Sequence, residues 1–212
     1  MLDIATTKTS TIESFKDDSR HDVVIVLPYI TEDRARRTQA VLRERTKHGG
    51  LLVLANDDKR LGFIATANAV YAGTRSEYFC YLAEDAFPGY YWLEYAMDTM
   101  RKSGAGLLAF SDGRFFGRIA AFGLLRREWA QTLYGGPFFY PGYASHFADT
   151  ELSVIAAQTD SLVYNPNAIL LEVDYEKRLH PNNADDEALY TRRASSGFDG
   201  KIPPFHPQSP PI

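Results

Sequence analysis

Short apolar runs, separated by stretches of helical length, constrain this chain more than any other feature. Val23-Val24-Ile25-Val26-Leu27 is stopped by Pro28, and Leu51-Leu52-Val53-Leu54 runs out at Asn56-Asp57-Asp58. Tyr78-Phe79-Cys80-Tyr81-Leu82 ends in Ala83-Glu84-Asp85, with Pro88 soon after. Runs of this kind, closed by turn formers, read as strands buried on both faces. Between them, residues 34–45 carry mixed charge with Ala35, Ala40, Val41 and Leu42, which predicts an amphipathic helix capped near Thr31 and ended by Gly49-Gly50. Residues 62–72 are Ala-rich and read as a second helix, residues 92–100 as a third, and residues 106–110 as a short strand. The order β-α-β-α-β-α-β implies an open, mostly parallel α/β sheet flanked by helices, with right-handed crossovers.

The second half has a different texture. Residues 115–125 alternate Gly, Phe and small residues and predict one or two strands. Residues 135–143 are dense in Gly, Pro and aromatics, which suits a mobile loop better than a core plug. Residues 149–159 predict a helix with Asp149 and Glu151 in its first turn, and residues 161–164 and 168–173 predict two short strands. The chain divides into a polar segment (1–20), one domain (21–180) and a polar tail (181–212). Pro203, Pro204, Pro207, Pro210 and Pro211 make the end of that tail extended or disordered.

Bulk properties narrow the classes of function. A chain of 212 residues, 45% hydrophobic and 24% charged, can bury a sizeable core. A net charge of −4 disfavours nucleic acid as a partner. The single cysteine, Cys80, lies inside an apolar run and reads as a small buried hydrophobe; without a second one there is no internal disulfide, which fits a reducing compartment. Residues 1–20 contain no apolar stretch of the signal-peptide type, and no run is long enough to span a bilayer, so the expectation is a cytoplasmic protein without stable membrane insertion. Glu84 and Asp85 stand at the end of a strand, where α/β sheets place their ligands. Two carboxylates there repel one another unless a cation joins them, and a hard divalent ion carrying phosphate oxygens supplies that charge.

Four stretches, in order, resemble the inverting glycosyltransferases of the GT-A fold, close to the family 2 type. Val24-Ile25-Val26-Leu27-Pro28-Tyr29 resembles the first strand and nucleotide-binding turn, and Leu61-Gly62-Phe63 with Ala67-Asn68-Ala69 the helix ahead of the metal strand. Tyr81-Leu82-Ala83-Glu84-Asp85, followed by Pro88 and Trp92-Leu93, occupies the place of the Asp-x-Asp metal motif. Phe147-Ala148-Asp149-Thr150-Glu151-Leu152 resembles the acidic motif that supplies the catalytic base. The likeness covers about two thirds of the chain, and it departs from the family pattern twice: Ala83 stands where the first metal-motif Asp belongs, and Ala148 where the late motif has Glu.

The resemblance implies a GT-A, Rossmann-like sheet with an acceptor-side second half. It also implies transfer of a sugar from a nucleotide-diphosphate donor, UDP-linked in the first instance, to an acceptor hydroxyl on a glycan or other molecule. Asp85, with His180, would hold Mn²⁺ or Mg²⁺; Asp149 would act as general base, with Glu151 in reserve. Pro28, Tyr29, Glu32 and Asn68 would bind the donor, one of Asp57 and Asp58 would read its base, and Glu84 would orient its sugar or ribose. Lys177 and Arg178 would help neutralise the diphosphate. Tyr140, Tyr143 and His146 would line the acceptor side. Each has a plain structural alternative: a loop aspartate, a helix cap for Asp149, a satisfied amide for Asn68, a tight turn for Tyr29 and Glu32. Two further readings keep the fold. A catalytically degenerate nucleotide-binding module is favoured by Ala83 and Ala148. A sugar nucleotidyltransferase is disfavoured because no glycine-rich loop follows the first strand.

Overall fold

The structure, a computed structural model, describes residues 1–173 and 183–207. The described strands are β1 (Leu2–Lys8), β2 (Asp17–Tyr29), β3 (Gly50–Asn56), β4 (Thr74–Tyr81), β5 (Ala86–Pro88), β6 (Leu107–Ser111), β7 (Gly123–Arg126) and β8 (Leu162–Glu172). They form one sheet in the order β1-β3-β2-β4-β7-β6-β8-β5. Its helices are α1 (Glu32–Glu44), α2 (Phe63–Gly73), α3 (Trp92–Ser103), α4 (Arg127–Tyr134), α5 (Ala148–Gln158) and α6 (Ala184–Ala194). Successive β2 residues alternate between the two faces, as a strand covered on both sides requires. Val24 and Val26 pack with α2, α4 and α5, while Val23, Ile25 and Leu27 pack with α1 and α3.

The sheet is mostly parallel, as the apolar runs imply, but not wholly so. β1, β3, β2 and β4 pair in parallel, as do β6 and β8; β7 runs antiparallel between β4 and β6, and β5 antiparallel to β8. Only the end of the predicted 115–125 strand region is a strand. Residues 112–122 form an irregular connection in which Gly113 and Gly117 take φ values of +79° and +81°, which Gly tolerates best. Gly123 faces Tyr81 across the β4–β7 pair, and a Cβ there would come within 2.5 Å of the tyrosine hydroxyl. That hydroxyl donates to the Ala120 carbonyl at 2.7 Å. The two short strands expected over 161–173 are one strand, β8; its register against β6 shifts between Ala109 and Ser111, in the stretch of β8 that contains Pro166.

The described residues at the N-terminal end and those at 183–207 pack into the fold. β1 adds a parallel edge strand beside β3, and a 3-10 turn (Thr9–Ser14) then crosses onto α2. Beyond the undescribed residues, Asn183 caps α6 by accepting the Asp185 and Asp186 N–H groups at 3.0 and 3.3 Å. Phe198 and Ile202 are buried ahead of the Pro-rich end, residues 203–207 form neither helix nor strand, and the Phe205 N–H donates to the Ala194 carbonyl. The aromatic loop is also corrected. Phe138 and Phe139 are fully buried and pack on Tyr81, with ring centroids 5.5 and 4.8 Å away, so this part of the loop is a core plug. Burying each such ring is worth about 1.5–3 kcal/mol, which outweighs the preference of neighbouring Gly and Pro for solvent.

Candidate active site

β2, β3, β4, β6 and β8 all run in one direction, so their C-terminal ends form one edge of the sheet. Tyr29 and Asn56 end β2 and β3 there, and the Asp57 N–H donates to the Tyr29 carbonyl at 2.8 Å. An open depression of about 680 Å³ lies at this corner, bordered by Lys8, Thr11, Tyr29, Glu32 and Asn56. Pro28 is buried in the sheet opposite Ala55, while Glu32 is exposed and pairs with Arg36 one turn along α1.

β4 leads into the turn Ala83-Glu84-Asp85-Ala86, closed by the Ala86 N–H on the Ala83 carbonyl at 3.1 Å. Asp85 is 8% exposed at its centre, and its carbonyl accepts the Val173 N–H just past β8. Glu84 points to α1. One of its oxygens accepts the Ile30 and Thr31 N–H groups at 3.2 and 3.1 Å, and the other lies 3.9 Å from Arg34. The Thr31 side chain makes no cap bond, so the carboxylate of Glu84 serves the positive N-terminus of α1 in its place. That occupies the group expected to orient sugar or ribose.

Asp57 and Asp58 also meet groups of the protein itself. Asp57 accepts the Leu61 and Gly62 N–H groups at 2.8 Å each and the Thr9 hydroxyl at 3.1 Å. Asp58 accepts the Thr9 hydroxyl and both the N–H and hydroxyl of Ser10. Asp57 holds the entry to α2, and both tie down the N-terminal 3-10 turn. Asn68 is a satisfied amide, exchanging two hydrogen bonds with the Phe139 backbone at 3.0 and 3.1 Å.

Asp149 sits inside the first turn of α5; the residue in the cap position is Phe147, at φ +68°. One Asp149 oxygen accepts the Thr150 N–H at 2.8 Å. Burial raises its carboxyl above the ordinary aspartate range, against the opposing pull of the Thr150 N–H and of nearby His146. Its charge acts in turn on the buried phenol of Tyr81 in β4. Glu151 is corrected outright as a reserve base. It has no exposure, and both oxygens are engaged by Arg193, at 2.8 and 2.7 Å, and by the hydroxyls of Tyr134 and Tyr143, at 2.6 and 2.7 Å. Tyr143 is therefore closed to an acceptor, and Tyr140 lies under the Arg193 guanidinium, 3.3 Å from its ring centre. His146 remains exposed, with Nδ1 3.0 Å from the Ser145 hydroxyl. His180, Lys177 and Arg178 lie outside the described residues.

Two acids went unnoticed in the sequence. Asp186 is 3% exposed and accepts the successive N–H groups of Ala144, Ser145 and His146 at 2.8, 2.9 and 2.8 Å, fixing the approach to α5. Asp112 directly follows β6, at the same sheet edge as Asp85. An acid at a strand end followed by Gly113 is the signal that could have found it.

No protein-family model matches the sequence, and no curated protein sequence matches it. Solved structures do match. A mannosyltransferase from Pyrobaculum calidifontis, in complex with GDP-Man and Mn²⁺, has a TM-score of 0.58 at 15% identity, over 88% of this chain and 67% of that one. S. aureus TarS with UDP has a TM-score of 0.57 at 8% identity, over 84% and 72%. Glucosyl-3-phosphoglycerate synthase from Mycobacterium tuberculosis, with Mg²⁺ and UDP, has a TM-score of 0.52 at 11% identity, over 92% and 84%. The chain thus has the GT-A fold of nucleotide-sugar glycosyltransferases.

Proposed function

We propose that the protein is a metal-dependent, inverting glycosyltransferase that moves a sugar from a nucleotide-diphosphate donor, UDP-linked in the first instance, to an acceptor hydroxyl. The observation that carries this reading is a buried carboxylate, Asp85, in the turn after β4; a second carboxylate, Asp149, raised by burial in the first turn of α5, supports it. The fold supports it, since solved structures of this shape hold GDP-Man with Mn²⁺, UDP with Mg²⁺, or UDP.

The donor set fits a hard cation. Asp85 offers oxygen, as Mg²⁺ and Mn²⁺ prefer. Among the described residues no group of three His, Cys, Asp or Glu could hold an ion. When bound, the ion would supply Lewis acidity to the departing diphosphate. The chain does the rest. Tyr29 and Asn56 offer the nucleoside a ring face and an amide. Asp149 takes the proton from the acceptor hydroxyl as its oxygen bonds to the anomeric carbon, on the face opposite the breaking bond to the diphosphate. The nucleoside diphosphate leaves with the electron pair of that bond.

One alternative has an observation of its own. Asp57, Asp58 and Glu84 are engaged within the protein and Ala83 offers no ligand, which favours a degenerate nucleotide-binding module. Calorimetric titration of UDP and GDP, with and without Mn²⁺, on the native protein and on Asp85→Ala tests the proposal. The expected result is metal-dependent binding that disappears in the variant. Binding that ignores both the metal and Asp85 leaves the degenerate module.

A further inference from the structure

Asp112 is one of the most deeply buried acids of the chain, at 3% exposure. Its two oxygens differ. Oδ1 accepts the N–H groups of Arg114 and Phe115, at 2.8 Å each, and so shapes the turn in which Gly113 takes φ +79°. Oδ2 is enclosed and has no hydrogen-bond partner among the described residues. Buried carboxylate oxygens without partners are costly and uncommon in native proteins, and each asks for a ligand or a local reason. The turn needs only Oδ1, so backbone geometry gives no reason for Oδ2.

Its position gives one. The Asp112 carbonyl accepts the Glu172 N–H, and the Asp85 carbonyl accepts the next one along, from Val173. Asp112 and Asp85 therefore flank the end of β8 on either side, at the ligand-bearing edge of the sheet. The order β3-β2-β4-β7-β6 sets a direction along that edge. The depression holding Tyr29 and Asn56 lies at the ends of β2 and β3, and the turn carrying Asp85 follows β4. Asp112 lies three strand spacings from Tyr29, roughly 14 Å. Asp85 leads into β5, which pairs with β8 on the side away from β6, so a donor with its diphosphate at Asp85 has Asp112 across the end of β8, about two strand spacings or roughly 10 Å away, within reach of its sugar. Sugar hydroxyls are hydrogen-bond donors, and a buried carboxylate is among the strongest acceptors for them.

From this placement we infer that Asp112 Oδ2 accepts a hydroxyl of the donor sugar, making Asp112 a specificity-determining residue that the acid motifs do not include. The inference rests on the glycosyltransferase reading above. It assigns Asp112 to the sugar, not to the metal or the nucleoside.

Asp112→Asn tests it. The side-chain carbonyl keeps the turn by facing Arg114 and Phe115, and the amide then presents a donor where the free acceptor stood. The probes are UDP, UDP-glucose, GDP and GDP-mannose, titrated calorimetrically into native and variant protein with Mn²⁺ present. The native protein is expected to bind one nucleotide sugar more tightly than its own nucleoside diphosphate. In the variant that nucleotide sugar should weaken by about 10- to 100-fold, the range for hydrogen bonds to charged groups. The nucleoside diphosphate should be unaffected. A nucleotide sugar bound equally by both proteins overturns the inference, as does equal weakening of sugar and diphosphate, which would place Asp112 at the metal or in the scaffold. So does a native protein that binds every sugar no better than its diphosphate. A native protein that binds none of the four probes overturns the glycosyltransferase reading itself, which is a distinguishable failure.

Discussion

Glu151 and Asp149 lie two positions apart on α5, so they leave the helix on nearly opposite sides. The inner one, Glu151, meets a guanidinium and two phenols, all satisfied by its two oxygens. Burial and the Glu151 charge hold the Tyr134 and Tyr143 phenols far above their ordinary pKa, so both remain donors. Removing one member of such a buried pair strands the other, at a cost of about 3–5 kcal/mol. Glu151→Gln is expected to lower unfolding free energy by that order in urea titration, and Glu151→Gln with Arg193→Met by clearly less than the sum of the two single changes. Asp149 faces a different constraint. Its carboxyl is raised by burial, so it becomes a base only as pH climbs through that raised value. The acid limb of the transfer rate should therefore lie above the ordinary aspartate range. The neighbouring His146 pulls the value down, so His146→Gln should move the limb to higher pH. For stability the sign is opposite to the usual carboxylate: a raised folded-state value favours the native protein at low pH and weakens it as pH rises through that value. Asp149→Asn should be no less stable than the native protein at neutral pH, while transfer falls about 10²- to 10⁴-fold, the range for a lost general base. A variant that loses both fold and activity would mark Asp149 as structural.

α6 carries most of the second half's order. It contributes Asp186 to the Ala144–His146 backbone and Arg193 to Glu151, so one C-terminal helix holds both the approach to α5 and its buried side. Burial alone would raise the Asp186 carboxyl, but the three N–H groups more than offset it and hold the value below the ordinary range. The stability it lends is present above the unfolded-state value and is lost as pH falls through the folded-state one. Asp186→Asn leaves one acceptor for three donors. Amide exchange of residues 144–146 should then quicken severalfold while β2 and β4 keep their protection; unchanged exchange would show that the turn holds itself. This helix was not legible in the sequence. Asp185, Asp186, Glu187, Arg192 and Arg193 look like a solvated tail, and nothing local reveals that two of them are buried. The aromatic loop misled in the opposite direction, because Gly and Pro signalled exposure while Phe138 and Phe139 were filling the core. β2, β3 and β4 were legible because a strand covered on both faces must be apolar throughout. The acids at their ends were legible as positions only. Whether Asp57 or Glu84 met a ligand or a backbone N–H depended on segments far away in sequence, namely the Thr9–Ser10 turn and the start of α1.

At the scale of the molecule, the candidate site is assembled from one edge of one sheet. Tyr29, Asn56, Asp85 and Asp112 end or follow four strands that share two continuous core layers, and Asp149 opens a helix packed on the same layers. A ligand bridging these positions is bound by the folded chain alone, so binding must add to the global stability. At a ligand concentration a hundredfold above Kd the gain is about 2.7 kcal/mol. For a chain of 212 residues each kcal/mol moves Tm by roughly 2–4 °C, which predicts a rise of roughly 5–11 °C. The rise should appear in a calorimetric scan with UDP or GDP and Mn²⁺ together, shrink when EDTA replaces the metal, and vanish in Asp85→Ala. A rise that persists under EDTA would place the nucleotide on Tyr29 and Asn56 without an ion, and the metal would then have no part in holding the donor. A rise confined to Mn²⁺ alone, with neither nucleotide adding to it, would show that the Asp85 turn binds cations without a donor beside it. Only the joint dependence on nucleotide, metal and Asp85 corresponds to a donor laid along the whole edge.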